Sequence, residues 1–171
     1  MVGKPPTMET AARTRTIVWD DPARLAAAAR TTEPLAFLQA IRDGTLPPPP
    51  IAVLMNFRLV EAERGRVAFE GTPGEEHYNP IGSVHGGYAA TILDSALGCA
   101  VQTTLDPGSA YATTDLHVRL LRKITAQTGT LRCEGIVRHR GRSHATADAT
   151  LVGADGKIYA SATTGCAIFP V

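Results

Sequence analysis

The chain has 171 residues, with 17 basic and 16 acidic side chains and a formal net charge of +1 at neutral pH. This length fits one ordinary domain, which buries about two thirds of the surface that its unfolded chain exposes. The near balance of charge provides no basic field of the kind that binds nucleic acid and no acidic tail for a basic partner. We therefore expect one domain whose partners are small molecules or further copies of the same chain.

Cysteine usage and hydropathy favour a soluble protein of a reducing compartment. Cys99, Cys133 and Cys166 are scattered singly with no C-x-x-C pair, which argues against a disulfide framework and against a zinc site. Residues 1–19 carry charges and prolines where a signal peptide would be apolar, and no run approaches the ~18 apolar residues of a membrane span. We expect a cytoplasmic location, with no membrane and no nucleic-acid partner.

The first fifty residues predict an extension in front of the main domain. Residues 1–18 are polar and proline-bearing without periodicity, which predicts a disordered segment or an arm lying on a neighbour. Residues 19–50 predict a helical extension and a proline linker, in which Asp21 and Glu33 stand directly before prolines and can cap two short helices. The stretch TLPPPPIAV (45–53) predicts an extended connection, because each proline pushes the preceding residue out of the helical region.

Residues 51–171 have the pattern of one domain with a hairpin, a long apolar helix and several further strands. Alternating runs around Arg64-Gly65 predict the hairpin, and the helix is predicted from Gly86 to about Thr103. Four strands are expected after it: AYATTDLHVRLL, TGTLRCEGIVRHRG, SHATADATLVGADG and KIYASATTGCAIF. A sheet curled around a single central helix satisfies this order, because such a helix can be apolar nearly all round.

One carboxylate interrupts the apolar helix. In HYNPIGSVHGGYAATILDSALG (77–98), Asp94 stands among Ile92, Leu93, Ala96 and Leu97, and burying an ionised carboxylate without a partner is costly. At the head of the same helix, two glycines leave backbone amides unpaired at the positive end of the helix dipole. Without a Cβ, these amides can be approached closely, so they outline an oxyanion hole.

The spacing of this segment resembles a family motif, N-x-x-G-x-x-H-G-G-x(6)-D. It is made here by Asn79, Gly82, His85, Gly86, Gly87 and Asp94. The motif resembles that of the hotdog-fold acyl-CoA thioesterases of the PaaI-like (phenylacetate-degradation type) family, over about residues 51–169. The resemblance implies an α+β hotdog fold, an antiparallel sheet of five or six strands wrapped around one long central helix; the N-terminal helical extension lies outside it. The proline often found after the strand YATTDLHVRLL is absent, and Arg122-Lys123 stands in its place.

The resemblance implies hydrolysis of an acyl-CoA thioester to free acid and coenzyme A, with no metal or redox cofactor. Asp94 is then the general base for water or the nucleophile that forms a mixed anhydride. The Gly86 amide stabilises the oxyanion, and His85 orients the turn or assists this donor. Asn79 positions a water or a carbonyl, and Thr113 matches a hydroxyl position that holds the attacking water in related enzymes.

A predicted hairpin tip is the candidate site for the coenzyme A phosphates. It consists of Arg138, Arg140, Gly141, Arg142 and Ser143. Guanidinium groups bind phosphate bidentately and a glycine turn exposes amides, although a solvated charged turn gives the same pattern. Arg122 and Lys123, at the end of an earlier strand, can join this cluster. The remaining histidines have no metal-ligand spacing and are interpreted as surface or pocket residues: His77, His117, His139 and His144.

Two other functions remain open, a non-catalytic acyl-CoA-binding or sensing protein on the hotdog fold and a hotdog dehydratase. The acyl group is likewise open, since Leu54, Met55, Phe57 and Tyr88 indicate either an apolar, aromatic-tolerant pocket or plain core. A dehydratase needs a histidine and an acid together to move protons on the acyl chain. Here the only helix acid is paired by the motif with a donor suited to a carbonyl.

Helix geometry predicts that the active site is shared between two chains. Gly86 and Asp94 are eight residues apart, which is ~12 Å along a helix axis at 1.5 Å per residue. A base and an oxyanion donor must each lie within ~3 Å of the atoms on which they act, so one thioester cannot contact both residues in one chain. A two-fold axis between antiparallel helices solves this. We therefore expect a homodimer with shared sites, and the resemblance implies a tetramer of two dimers.

Overall fold

The computed structural model of the chain describes residues 12–171, in which an antiparallel sheet wraps around one long helix. The helices are α1 (Pro22–Thr31), α2 (Pro34–Arg42), α3 (Pro50–Leu54) and α4 (Gly86–Gln102). The strands are β1 (Phe57–Glu63), β2 (Arg66–Gly71), β3 (Ser109–Leu120), β4 (Leu131–Arg140), β5 (His144–Gly153) and β6 (Ile158–Pro170). The six strands follow the order β1-β2-β4-β5-β6-β3, and every neighbouring pair is antiparallel. The hotdog architecture predicted from the sequence is confirmed.

Helix α4 lies in the concave face of the sheet because its sheet-facing residues are apolar and the residues opposite are small. Leu93, Leu97 and Val101 of the predicted stripe are fully buried, whereas Ala90 is half-buried. The inner faces of β5 and β6 present buried alanines to the helix, at positions 145, 147, 149, 160 and 162. At Gly135 of β4 a Cβ would overlap the backbone carbonyl of Ala96, so the helix contacts the strand through backbone atoms.

The N-terminal extension forms the two capped helices that the sequence predicts. The side chain of Asp21 accepts a hydrogen bond from Ala23 N at 2.9 Å, and that of Glu33 accepts one from Ala36 N at 2.8 Å. Helix α2 buries Phe37 and Leu38 against the core next to β1, while α1 buries none of its residues. No helix within residues 12–171 is long and apolar enough to cross a bilayer.

The proline segment departs from the expected extended connection. The chain turns into helix α3 at Pro50, within the stretch predicted to stay extended. Proline suits the first position of a helix because the N–H that it lacks has no intrahelical acceptor there. The prediction was therefore wrong from Pro50 onward.

The segment before α1 lies on its own chain. Of the predicted arm, residues 1–11 are outside the described part. Arg15 donates to the carbonyls of Val53 and Leu54 at 3.1 and 3.3 Å, and its guanidinium also binds Glu76 Oε1 at 2.8 Å. The arm thereby connects the end of α3 to the short 3-10 turn Glu75–His77, which leads into the candidate site.

Candidate active site

His85 caps α4 and leaves the amide of Gly86 free. His85 has extended backbone torsions, and its Nδ1 accepts a hydrogen bond from Gly87 N at 2.9 Å. Because Nδ1 accepts, the neutral ring carries its proton on Nε2. Among residues 12–171, no protein acceptor takes the N–H of Gly86. The first glycine of the motif therefore presents a donor at the positive end of the helix, as an oxyanion site requires.

Asn79 organises the loop that presents this donor. Its Oδ1 accepts hydrogen bonds from the amides of Ile81 and Ser83, each at 3.1 Å, and its Nδ2 donates to Ser83 Oγ at 3.0 Å. Gly82 completes the turn with a φ of +77°, a region that favours glycine. The side-chain oxygen of Asn79 is therefore occupied by two backbone amides of its own loop. These contacts favour a role in shaping the loop over the predicted role of positioning a carbonyl or a water.

Asp94 lies on the side of α4 that faces the edge strand β3. It is half-buried, although its apolar neighbours in the sequence predicted a buried acid. Thr113 of β3 is exposed and donates its hydroxyl to Asp94 Oδ1 at 3.2 Å. Because β3 has a neighbouring strand on one side only, this part of the helix keeps access to solvent, and the carboxylate avoids most of the desolvation cost. The structure thus brings together two of the predicted site residues.

Two surface pockets flank His85, and both share Asn79. The first, of about 450 Å³, contains Gly86 together with Arg122 and Lys123. The end of β3 and the loop after it contribute apolar side chains to its lining: Leu120, Leu121 and Ile124. It therefore joins the oxyanion donor to a cationic rim, and we call it the cationic pocket.

The second pocket lies on the other side of His85 and also has a volume of about 450 Å³. Among its lining residues are Met55, His77, Tyr78 and Tyr88. Met55 and Tyr88 were predicted for an acyl pocket, whereas Phe57 is part of the core and Leu54 is largely exposed. We call this second cavity the aromatic pocket.

The arginine hairpin lies away from both pockets within one chain. Arg140 pairs with Asp106, the fourth residue after the end of α4, with Nη2 and Oδ2 at 3.0 Å. The hairpin tip is therefore at the C-terminal end of α4, and the 17-residue helix separates it from Gly86 by ~25 Å. Arg138 Nε binds Asp148 Oδ2 at 2.8 Å, while Arg142 is exposed. The basic residues expected to form one cluster therefore form two groups at opposite ends of α4. Arg122 and Lys123 follow the end of β3 that lies near Gly86, away from the hairpin tip.

The thiols near this site are protonated at neutral pH. Burial raises the pKa of Cys99 to about 12, with a smaller contribution from the charge of Asp94. Burial also raises the pKa of Cys133 and Cys166. A thiol is a weak nucleophile compared with its thiolate. The nucleophile is therefore not expected to come from these cysteines, which leaves Asp94 and water.

The other histidines divide as predicted into surface and pocket residues. His117, His139 and His144 are exposed, and His77 lines the aromatic pocket. Within residues 12–171, no three histidine, cysteine, aspartate or glutamate side chains are grouped so that they could hold a metal ion.

Comparison with known families finds a match over the central part of the chain. The sequence model of the thioesterase superfamily matches residues 81–160, from the loop before His85 to strand β6. That part of the chain is similar to the thioesterase superfamily. Acyl-coenzyme A thioesterase 13 of Homo sapiens and of Pongo abelii are each 36% identical to it over 66 residues, 39% of this chain and 46% of the relative. The chain thus spans about half the length of the curated relatives that it matches.

Solved structures of similar proteins confirm the hotdog fold. A putative thioesterase from Ralstonia eutropha, described as related to phenylacetic acid degradation, is 27% identical with a TM-score of 0.69, covering 76% of this chain and 98% of that one. The E. coli PaaI protein of the phenylacetic acid degradation operon is 20% identical with a TM-score of 0.69, covering 80% and 96%. A Streptococcus mutans protein bound to acetyl CoA is 27% identical with a TM-score of 0.62, covering 67% and 90%.

Proposed function

We propose that the protein is an acyl-CoA thioesterase, which hydrolyses a thioester to a free carboxylic acid and coenzyme A. The observation that carries this proposal is the free N–H of Gly86, which opens into the cationic pocket beside Arg122 and Lys123. A thioester carbonyl needs such a donor, and one donor lowers the barrier by ~3 kcal/mol. The activity named for the curated relatives and the acetyl CoA bound to the S. mutans protein support the same chemistry.

In the proposed reaction, the Gly86 amide stabilises the oxyanion and Asp94 transfers the proton. Water adds to the thioester carbonyl, whose oxygen becomes the anion held by Gly86 N–H. Asp94 takes the proton of the attacking water and then returns it to the departing thiolate of coenzyme A. In the alternative route, Asp94 attacks the carbonyl itself and expels the coenzyme A thiolate. Water then hydrolyses the resulting mixed anhydride, which releases the acid and frees Asp94, and a proton from that water passes to the thiolate. The Thr113 hydroxyl, 3.2 Å from Asp94 Oδ1, orients the carboxylate or the water in either route.

The proposed catalytic unit is a homodimer. Strand β3 is a 12-residue edge strand with mostly exposed residues, and an exposed edge of this length is a template for pairing with another chain. Pairing across a two-fold axis sets two α4 helices antiparallel, so that Gly86 of one chain meets Asp94 of the partner subunit. Each dimer then has two shared sites, and we propose, from the family resemblance, that two dimers form a tetramer.

The same arrangement reunites the two groups of basic residues. In antiparallel helices, the C-terminal end of one α4 lies near the N-terminal end of the other. The arginine hairpin tip of one chain then approaches Arg122 and Lys123 of the partner subunit. We propose that Arg122, Lys123 and the exposed Arg142 bind the phosphates of coenzyme A, whereas Arg138 and Arg140 are already paired with carboxylates.

The decisive experiment measures free thiol release from a panel of acyl-CoA esters with a thiol reagent. Thioester hydrolysis gives one thiol per turnover, and the buried protonated cysteines of the protein contribute little background. Binding of acyl-CoA in calorimetry without thiol release would identify an acyl-CoA-binding protein instead. Consumption of an enoyl-CoA by hydration without thiol release would identify a dehydratase.

A further inference from the structure

Arg15 of the N-terminal arm joins two segments that are distant from each other in the sequence. Its guanidinium donates hydrogen bonds to the carbonyls of Val53 and Leu54, at the C-terminal end of α3. The same group binds Glu76 Oε1 at 2.8 Å, in the 3-10 turn Glu75–His77. Arg15 therefore fixes the end of α3 relative to this turn.

Both joined segments contribute to the lining of the aromatic pocket. Met55 comes from the end of α3, and Glu76, His77 and Tyr78 come from the turn and the residue after it. Arg15 lines a neighbouring cavity of about 430 Å³, which shares Glu76 and Tyr78 with the aromatic pocket. Arg15 thus lies behind this wall, and it can influence a bound group only through the residues that it holds.

Helix α3 depends on contacts of this kind for its position. It has five residues, of which only Ala52 is buried, and a helix of this length is not stable by itself. The last carbonyls of a helix have no intrahelical donor, and a cation is favourable there. Because Arg15 binds two of these carbonyls, its removal should let the end of α3 shift.

Arg15 also neutralises a charge in the wall of the pocket. Glu76 lines the aromatic pocket, and an unpaired carboxylate beside a hydrocarbon group would have to lose part of its hydration. Arg15 pairs with this carboxylate, and the two side chains are 30% and 38% exposed. The pair makes this wall suitable for an apolar group.

The aromatic pocket is the cavity suited to the acyl part of a thioester. It lies across His85 from the cationic pocket, which contains Gly86 and the charges suited to coenzyme A phosphates. Met55, Tyr78 and Tyr88 give it apolar and aromatic lining. An ester whose carbonyl is held at Gly86 can therefore direct its acyl group past His85 into this pocket.

We propose that Arg15 is a positioning residue for recognition of the acyl group. It holds the end of α3 and the Glu76 turn at the separation at which both contact an acyl group in the aromatic pocket. The proposal rests on the proposed thioesterase function. It places a determinant of substrate choice in the N-terminal arm, outside residues 81–160, which the superfamily model matches.

The test compares acetyl-CoA with hexanoyl-CoA and benzoyl-CoA by thiol release. In the wild type, we expect at least one larger ester to have a higher kcat/KM than acetyl-CoA, because only larger acyl groups contact the pocket walls. Arg15→Ala should lower kcat/KM for that ester about tenfold. It should leave kcat and KM for acetyl-CoA in place, whereas a loss of folded enzyme would lower kcat for every ester equally.

Arg13→Ala is the matched control. Arg13 pairs with Glu75, and these side chains are 72% and 55% exposed, so the pair contributes little. Glu75 lines the neighbouring cavity and not the aromatic pocket. Arg13→Ala should therefore keep the substrate preference of the wild type. Arg15→Lys keeps a charge for Glu76 but lacks the planar fork that reaches several acceptors, so it should retain part of the preference.

A double-mutant cycle tests whether Arg15 acts through the pocket wall. Met55→Ala removes one of the side chains that Arg15 positions, so Arg15→Ala should cost less in this background than in the wild type. Fully additive effects would overturn the inference. So would a wild type without preference for a larger ester, equal losses on acetyl-CoA and the larger ester in Arg15→Ala, or the same loss of preference in Arg13→Ala.

Failure of the proposed function can be told apart from failure of this inference. If no ester releases thiol, the thioesterase function fails, and the preference is measured as the ratio of dissociation constants of the same esters by calorimetry. Tighter binding of a larger ester that is lost in Arg15→Ala and kept in Arg13→Ala supports the inference in that case. Absence of such a preference, or an equal change in both dissociation constants, contradicts it.

Discussion

At the head of α4, histidine and glycine have separate tasks. The imidazole of His85 uses its one acceptor on the Gly87 amide, which is the second N–H of the helix, and so leaves the first one for a ligand. A serine or aspartate cap would satisfy the same inner donor. The imidazole additionally forms the partition between the cationic pocket and the aromatic pocket.

Gly86→Pro removes the proposed oxyanion donor without breaking the helix. Gly86 is the first helical residue, where proline is well tolerated, and His85 before it has a ψ of 139°, the extended geometry that proline demands of its predecessor. We expect kcat to fall ~10²- to 10³-fold with an unchanged circular dichroism spectrum. Gly86→Ala is the matched control, because its Cβ meets the same flexible Leu120 side chain but the N–H remains. Equal activity of the two variants would exclude the amide from the mechanism.

Asp94→Asn tests the acid. It keeps the size of the side chain and an acceptor for Thr113, so fold and acyl-CoA binding should persist. Turnover should fall by ~10²–10⁴, the usual range for losing a positioned acid or base. Ser95→Ala, the next residue on the helix, removes only a bond to the Thr91 carbonyl and should stay near wild type. Near wild-type turnover in folded Asp94→Asn would remove this residue from the mechanism.

At the scale of helices and strands, the closeness of α4 to the sheet depends on one position. Gly135→Ala would place a Cβ against the rigid carbonyl of Ala96, so we expect a loss of about 1–3 kcal/mol in the free energy of unfolding, typical of overpacking. Gly74→Ala is the matched control, because its Cβ meets only the mobile end of Glu76 in extended backbone. Denaturant titration measures both, and equal stability of the two variants would show that the helix can move away.

The two groups of basic residues give a separable prediction. Arg122→Gln combined with Lys123→Gln should raise KM for acyl-CoA about tenfold by removing charged contacts to phosphate. Short acyl thioesters without the nucleotide should be unaffected, since uniform binding changes KM and not the chemical step. Changing Arg138, Arg140 and Arg142 together to Ala should also raise KM for acyl-CoA, but only in protein that forms the dimer. Equal losses on both substrate types would show a structural role.

Short local patterns in the sequence predicted most helices and strands. They did not predict which residues from distant segments lie close together in the fold. Asp155-Gly156 and Arg64-Gly65 define their hairpins through the chemistry of the turn itself, and the α4 period predicts its buried face. Helix α3 was missed because proline fits both an extended chain and a first helical turn. The separation of the arginine hairpin from Arg122, and the joint burial of His77 and Tyr88, depend on how distant segments pack, and no local pattern encodes that.

For the whole molecule, the shared site predicts complementation between two inactive proteins. Asp94→Ala and Gly86→Pro, dissociated and reassociated together, should form mixed dimers with one intact site each. Random pairing then restores about a quarter of the wild-type activity, measured by thiol release. Absence of recovery, in a preparation where mass spectrometry demonstrates mixed dimers, would show that each site belongs to one chain.

The order of strands has a consequence for the time course of biosynthesis. Strand β3 pairs within its own chain only with β6, and β4 and β5 lie between them in the sequence. At about 5–20 residues per second, a ribosome needs several seconds to pass from the end of β3 to β6. During this interval both edges of β3 are open on the nascent chain, and β3 lacks the neighbouring strand β6 that fixes its position for pairing with a second molecule. Shared sites are therefore expected to assemble between chains that have already emerged past β6, which makes dimerisation a late event in the life of each polypeptide.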